Sequence, residues 1–219
     1  HGMGRDTLTG LPNRQSLESR LVPATQDAVR EGTRLAVFYV GLDNFKPINE
    51  ALGHEAGDVV LCEAADRLRA LAAGPGLLAR VAGDEFALLL PGNPDKFQAS
   101  QVAARILESI SRPIVAMDRS LAVSCSVGTA FFPDDGALTR LLAHASAAMG
   151  AAKRLGGATY CFFEPSMDSD ARDQIELLRD LRRAVDADEL ELYFQPKIAA
   201  ADGRITGVEA LLRWHHPVR

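Results

Sequence analysis

The chain has 219 residues, of which 47% are hydrophobic and 24% charged, with a formal net charge of −5. That length suits one domain with a full core, or one domain plus a piece of another. The acidic balance and the lack of a Lys/Arg-rich run exclude a protein that grips a nucleic-acid backbone or a membrane surface, while a local pocket for a free nucleotide stays open.

Cys62, Cys125 and Cys161 are odd in number, far apart and set among apolar residues, so they read as reduced core thiols of a cytoplasmic protein. No apolar run approaches the roughly 18 residues of a membrane span, and no signal peptide opens the chain. A membrane tether, if the parent has one, is expected upstream. Residues 1–4, beginning His1-Gly2-Met3, read as a remnant of cloning, which implies a natural protein that extends further toward its N-terminus.

In chain order, a Gly10/Pro12 turn leads to Asn13 as a helix N-cap, followed by Leu17, Leu21 and Ala28 at near-helical spacing. Leu35 to Leu42 is short and apolar throughout, which predicts a strand buried on both faces. Asp43-Asn44 starts a short helix that Gly53 stops. Asp58 opens another, with Leu61, Ala64, Leu68 and Leu71 in one stripe. Gly74-Pro75-Gly76 breaks the chain, and "LLARVA" and "FALLLP" read as two strands joined through Gly83-Asp84-Glu85.

A helix from about Asp95 to Ser111 sets Phe97, Ala103, Ile106, Leu107 and Ile110 on one side. Two strands follow, "PIVAM" and "LAVSCSVGTAFF", with Asp118-Arg119 at the turn between them. A helix from Ala137 to Leu155 and the short strand "TYCFF" complete an alternating pattern of helices packed on a sheet. Pro165 marks a boundary. Ser166 to Asp188 reads as a charged linking helix with Ile175, Leu178, Leu181 and Val185 along one side, a stripe that either packs on the preceding core, the plainer expectation, or pairs with another copy. After it come a strand, a turn at Asp202-Gly203 and a second strand, too little to form a domain.

"RVAGDEFALLL", Arg80 to Leu90, mounts the acidic pair Asp84 and Glu85 on a hairpin turn. By itself such a pair is most simply a solvated acidic turn. Together, however, "DTLTGLPNR", "LDNFKPINEALGHEAGD", "RVAGDEFALLLP", "VSCSVGTAFFP" and "AAKRLGG" resemble, in order and spacing, a GGDEF domain of the diguanylate cyclase family, across Arg5 to Phe163. The tail, "YFQPKI" then "GVEALLRWHHP", resembles the opening of an EAL domain of the cyclic-di-GMP phosphodiesterase family. The expected organisation is a GGDEF domain over 5–163, a linking helix over 164–188 and an N-terminal EAL fragment over 189–219, within a tandem GGDEF-EAL parent.

The resemblance implies an α/β (α+β) fold of the nucleotide-cyclase and polymerase-palm kind: a mainly antiparallel central sheet flanked by helices, followed by the first strands of an incomplete TIM-type barrel. It also implies cyclisation by two GTP-loaded domains face to face, with Mg2+ or Mn2+ holding the triphosphate between carboxylates. The first family carboxylate falls on Gly41 and is absent. The second falls on Asp84, beside Glu85, and is present, so metal binding is expected to be weak.

The first glycine of the signature is Ala82, followed by Gly83; were position 82 to need a positive φ, alanine would cost about 1–2 kcal/mol. The guanine-reading positions are Asn49 and Asp58, both of the family's residue type, although Asp58 would also make a helix N-cap and Asn49 a helix-end residue. Phe45 and Lys46 complete the nucleotide-binding set. Lys153 matches the phosphate-contacting lysine, or is a surface charge at a helix C-terminus, and the arginine four positions on is Gly157. The Arg-x-x-Asp of the inhibitory site maps to Ala73 and Gly76, so product feedback there is not expected.

In the tail, Glu209 matches a metal-binding glutamate, and Gln195 and Arg213 match substrate positions. A TIM-type barrel takes about 250 residues, so the fragment is not expected to hydrolyse cyclic-di-GMP. The function this implies is cyclic-di-GMP signalling by a degenerate, cyclase-inactive GGDEF domain. It would bind GTP as an allosteric ligand and regulate an EAL phosphodiesterase that acts on cyclic-di-GMP. The alternatives are a weakly active cyclase and a nucleotide-free dimerisation or scaffold domain. Partners are then GTP, cyclic-di-GMP through the full EAL domain and a second copy in a homodimer, with no nucleic acid.

Overall fold

The computed structural model describes residues 4–72 and 77–218. The chain divides into two compact units, His1–Asp168 and Ser169–Arg219. Ala73 and Gly76, and the break at 74–76, lie outside the described residues.

The first unit is built on a sheet in the order β2-β3-β1-β6-β7. Its middle strand, β1 (Leu35–Leu42), is buried at every position, as an unbroken apolar run requires. It pairs antiparallel with β3 (Glu85–Leu90) on one side and β6 (Cys125–Phe132) on the other. β2 (Leu78–Ala82) forms a hairpin with β3, and β7 (Tyr160–Phe162) adds parallel to β6. The fold is thus the mainly antiparallel sheet flanked by helices that the resemblance implies.

Alternation along β1 splits the core into two layers. Ala36, Phe38, Val40 and Leu42 face α3 (His54–Leu71) and α4 (Lys96–Ser111), where Val60, Leu68, Ile106 and Ile110 meet them. Leu35, Val37 and Tyr39 face α1 (Arg14–Glu31) and α5 (Leu138–Arg154), meeting Leu17, Leu21 and Leu141. Each such side chain, fully withdrawn from water, contributes about 1.5–3 kcal/mol. The helix ends follow their side chains. Asn13 caps α1 by accepting from the Ser16 amide, and Asp95 with Gln98 forms a capping box on α4.

Three expectations are corrected. α3 begins at His54, because Gly53 at φ 87 both ends α2 (Phe45–Leu52) and starts α3, leaving no gap for Asp58 to cap. Asp58 therefore sits inside the helix. "LAVSCSVGTAFF" is two strands: β5 (Arg119–Leu121) closes a tight hairpin with β4 (Ile114–Ala116) through the left-handed Met117 and Asp118, and β6 starts only at Cys125. Phe97, in the first turn of α4, is 68% exposed, since the buried stripe runs through Ala99, Ala103, Ile106 and Ile110 instead.

Helix α6 (Pro165–Asp186) continues into the second unit. Its Ile175, Leu178, Leu181 and Val185 are 37–69% exposed. After this helix the described residues of the second unit form a hairpin, β8 (Leu190–Ile198) with β9 (Ile205–Trp214). No described helix is long and apolar enough to cross a membrane. All three cysteines are free thiols; Cys125 is buried, and Cys62 and Cys161 are half-buried.

Candidate nucleotide site at the ends of the central strands

Gly41, Asp84, Glu85 and Lys153 come together where β1 ends beside the β2–β3 turn. Gly41 lies opposite Glu85 on one side and Ser126 on the other. The Leu42 amide donates to the Asp84 backbone carbonyl at 3.1 Å, which sets the signature turn against the end of β1. The Asp84 carboxylate is half-buried and makes no hydrogen bond or ion pair among the described residues. Glu85 is engaged: it accepts from the Tyr39 hydroxyl at 2.8 Å. Burial and that carboxylate raise the Tyr39 pKa well above the usual phenol value.

The turn is locked from behind. Arg80 donates through Nε to the Gly83 carbonyl at 2.8 Å and through Nη1 to both Asp6 carboxylate oxygens at 3.0 and 3.1 Å. Asp6 also accepts from the Thr9 amide and hydroxyl. Burial alone would raise the Asp6 pKa, but the hydrogen bonds from Thr9 and Arg80 outweigh it and hold it below the usual carboxylate range. Ala82 is not at positive φ; Gly83, at φ 28, takes the left-handed position. A register shift between Arg80 and Ala82 absorbs the turn, so alanine at 82 carries no backbone penalty.

Helix α5 reaches this site because Gly128 lets it lie directly on β6. A Cβ at 128 would collide with the Ala145 carbonyl and the Met149 amide. Met149 and Lys153, one turn apart on the same face, therefore extend over Gly41. A Cβ there would lie 2.5 Å from Met149 Sδ, 3.0 Å from Lys153 Cε and 3.2 Å from Lys153 Nζ. The Lys153 ammonium donates to the Leu42 carbonyl at 2.8 Å. Burial pushes the neighbouring Cys125 thiol up to about 12, with Asp43 adding to the rise and Lys153 opposing it.

Asp43 is the residue that sequence reasoning missed. Its carboxylate accepts from Ser124 Oγ and Ser126 Oγ, both at 2.7 Å, and from the Ala158 amide at 2.9 Å. It ties β1 and the start of β6 to the loop after α5. The signal was available as two serines two residues apart at the entry to one strand and a lone aspartate directly after another. Gly157, at φ 75, packs on that carboxylate, and a Cβ there would lie 2.8–3.1 Å from its atoms. The missing arginine is thus matched by a loop with no room for one.

Asn49 lies on α2 and Asp58 on the second turn of α3. They are joined through Gly57, whose missing Cβ leaves the space that Asn49 Oδ1 occupies. Asp58 is exposed, and its carboxylate makes no hydrogen bond or ion pair among the described residues. Phe45 packs its ring toward Gly57 and the core, while Lys46 is exposed and pairs with Glu50 at 3.5 Å. Among the described residues no three His, Cys, Asp or Glu side chains could together hold a metal ion. With Gly41 bare, its side-chain space filled and Asp43 committed elsewhere, the residues present do not fit a two-carboxylate metal centre.

In the hairpin, Gln195 lies directly across from Glu209, and Arg213 across from Glu191. Pleating puts these four on one face with Lys197, while Leu192, Phe194, Val208, Leu212 and Trp214 share the other. The three tail positions are thus brought to one face, which Tyr193 and Leu211 share and where Lys197 Nζ lies 3.9 Å from Glu209.

A family model described as "Diguanylate cyclase, GGDEF domain" matches residues 3–159, and an EAL domain model matches residues 178–219. The chain is 44% identical over 213 residues to the bifunctional diguanylate cyclase/cyclic di-GMP phosphodiesterase MucR of Pseudomonas aeruginosa, covering 97% of the chain and 31% of MucR. It is 35% identical to the cyclic di-GMP phosphodiesterase PdeR of Escherichia coli, covering 98% of the chain and 32% of PdeR. It therefore spans about a third of the length of these curated relatives. Among solved structures, the GGDEF domain of TpbB (YfiN) from Pseudomonas aeruginosa superposes with TM-score 0.72 at 37% identity, covering 77% of this chain and 99% of that one. The coiled coil and GGDEF domain of DgcB from Caulobacter crescentus, in complex with c-di-GMP, gives 0.68 at 27% identity, covering 73% and 85%.

Proposed function

Because the chain belongs to the GGDEF family of diguanylate cyclase domains and runs on into the start of an EAL domain, we propose that it is a cyclase-inactive GTP-binding module that regulates an EAL phosphodiesterase. Membership places it in cyclic-di-GMP signalling. The single observation that carries the finer reading is the contrast between two ends of the site. At Gly41 the carboxylate is absent and Met149 and Lys153 stand in its space, while Asn49, seated on Gly57, and Asp58, the residue after that glycine, keep polar groups to spare for a guanine edge.

Joining two GTP molecules needs charge neutralisation at both the attacking and the leaving oxygens. With Asp84 as the lone remaining carboxylate of the pair, Mg2+ or Mn2+ would be held weakly, so binding outlasts turnover. The regulatory ligand is GTP, the substrate of the parent's EAL domain is cyclic-di-GMP, and a homodimer through the exposed α6 stripe is compatible with both.

The test is phosphodiesterase activity of the full-length parent with and without GTP, beside Glu209→Ala. GTP-dependent activity that Asp58→Ala removes is the expected outcome. No thermal stabilisation at millimolar GTP would sink the reading. Residual cyclase activity is the competing reading, favoured by the presence of Asp84 and Lys153. It predicts cyclic-di-GMP from GTP with Mn2+, abolished by Asp84→Ala.

A further inference from the structure

The position that has lost its carboxylate is filled, and what fills it carries charge. Lys153 Nζ comes within 3.2 Å of the point where a Cβ on Gly41 would lie, and it is anchored to the Leu42 carbonyl at 2.8 Å. The same Leu42 residue is bonded through its amide to the backbone of Asp84. The ammonium is thus fixed beside the signature turn, at the place where a carboxylate and its cation would meet. Met149 Sδ, one turn back on α5, shares that space, 2.5 Å from the same point.

This cation is not neutralised. Lys153 makes no salt bridge among the described residues, and the nearby Asp43 carboxylate is occupied by Ser124, Ser126 and the Ala158 amide. An ammonium has three donors. One goes to Leu42, and the others are left for an anion. Gly157 presents no side chain that would compete for it.

Resting on the nucleotide-binding reading above, we infer that Lys153 is a tethered monovalent cation standing in for the divalent ion, so that this site takes a guanine nucleoside triphosphate free of metal. Its ammonium contacts the polyphosphate directly. The two roles are incompatible at one position: a lysine anchored on Leu42 keeps a hydrated divalent ion away by repulsion, while supplying part of the charge that ion would bring. Binding then needs no metal, and cyclisation, which does, is lost for the same reason.

Calorimetric titration of this chain with GTP, in excess EDTA and separately in excess Mg2+, is the test. The expected result is an affinity in EDTA within about threefold of that in Mg2+. Lys153→Gln should weaken binding in EDTA by about tenfold or more, the loss of one charge-assisted hydrogen bond. The substituted side chain is exposed, and an unchanged melting temperature would show that the fold is intact. Gly41→Asp should lower the affinity in EDTA, because the new carboxylate engages the ammonium, and Mg2+ should restore it. GTP bound only in Mg2+ overturns the tethered cation and leaves the nucleotide-binding reading standing. No binding in either condition overturns both.

Discussion

Asn49 Oδ1 lies over Gly57 in the space a Cβ would take, so the position of that amide depends on a residue that has no side chain. Gly57→Ala is expected to displace Asn49 without unfolding the domain, because the obstructing atom is the end of a mobile side chain. GTP-dependent thermal stabilisation should fall as far as in Asn49→Ala. Retention of full stabilisation would show that Asn49 does not contact the base.

Gly128→Ala should behave differently. There the obstruction is helix backbone, the Ala145 carbonyl and the Met149 amide, and neither can swing aside. α5 must lift from β6, at a cost of about 1–3 kcal/mol or more. Urea unfolding checks it, and a variant as stable as the parent would mean that α5 packs less closely than described.

The Asp6–Arg80 pair predicts an acid limb to stability. The folded Asp6 pKa is depressed, so the pair's contribution is complete above the ordinary carboxylate value, about 3.9, and is lost as pH falls through the folded pKa. Asp6→Asn should flatten that limb, and Arg80→Ala should cost about 1–3 kcal/mol at neutral pH. Both variants loosen the Gly83 turn, since Arg80 is the donor to its carbonyl. Denaturation midpoints between pH 3 and 7 decide the matter.

Tyr39 predicts the alkaline limb. Its folded pKa is raised, by burial first and Glu85 second, so its contribution is complete below the ordinary phenol value, about 10, and is lost as pH rises beyond it. In a phenolate absorbance titration Tyr39 should ionise only well above the ordinary phenol range. Tyr39→Phe should remove that late step and cost about 0.5–1.5 kcal/mol at neutral pH.

Much of the fold could be read from the chain because local signals agreed with tertiary ones. Leu35–Leu42 is a buried central strand since eight apolar residues in a row have no polar face to show. Asn13 and Asp95 announce helix starts because their side chains satisfy amides three residues on. The second helix start was misplaced for a physical reason. Asp58 has cap chemistry, but Gly53, with its free φ, caps α3 five residues earlier.

The site divides along the same line. By itself the sequence determined which groups are present: no carboxylate at 41, an acid at 84, a lysine at 153, an amide at 49 and no side chain at 157. Those are properties of residue type, and folding does not change them. Only the tertiary structure decided what the missing groups are replaced by. Gly41 and Lys153 are 112 positions apart, and they meet because β1 pairs with β6 and Gly128 lets α5 settle onto it. Through that contact an absent aspartate becomes a site holding an ammonium on the Leu42 carbonyl.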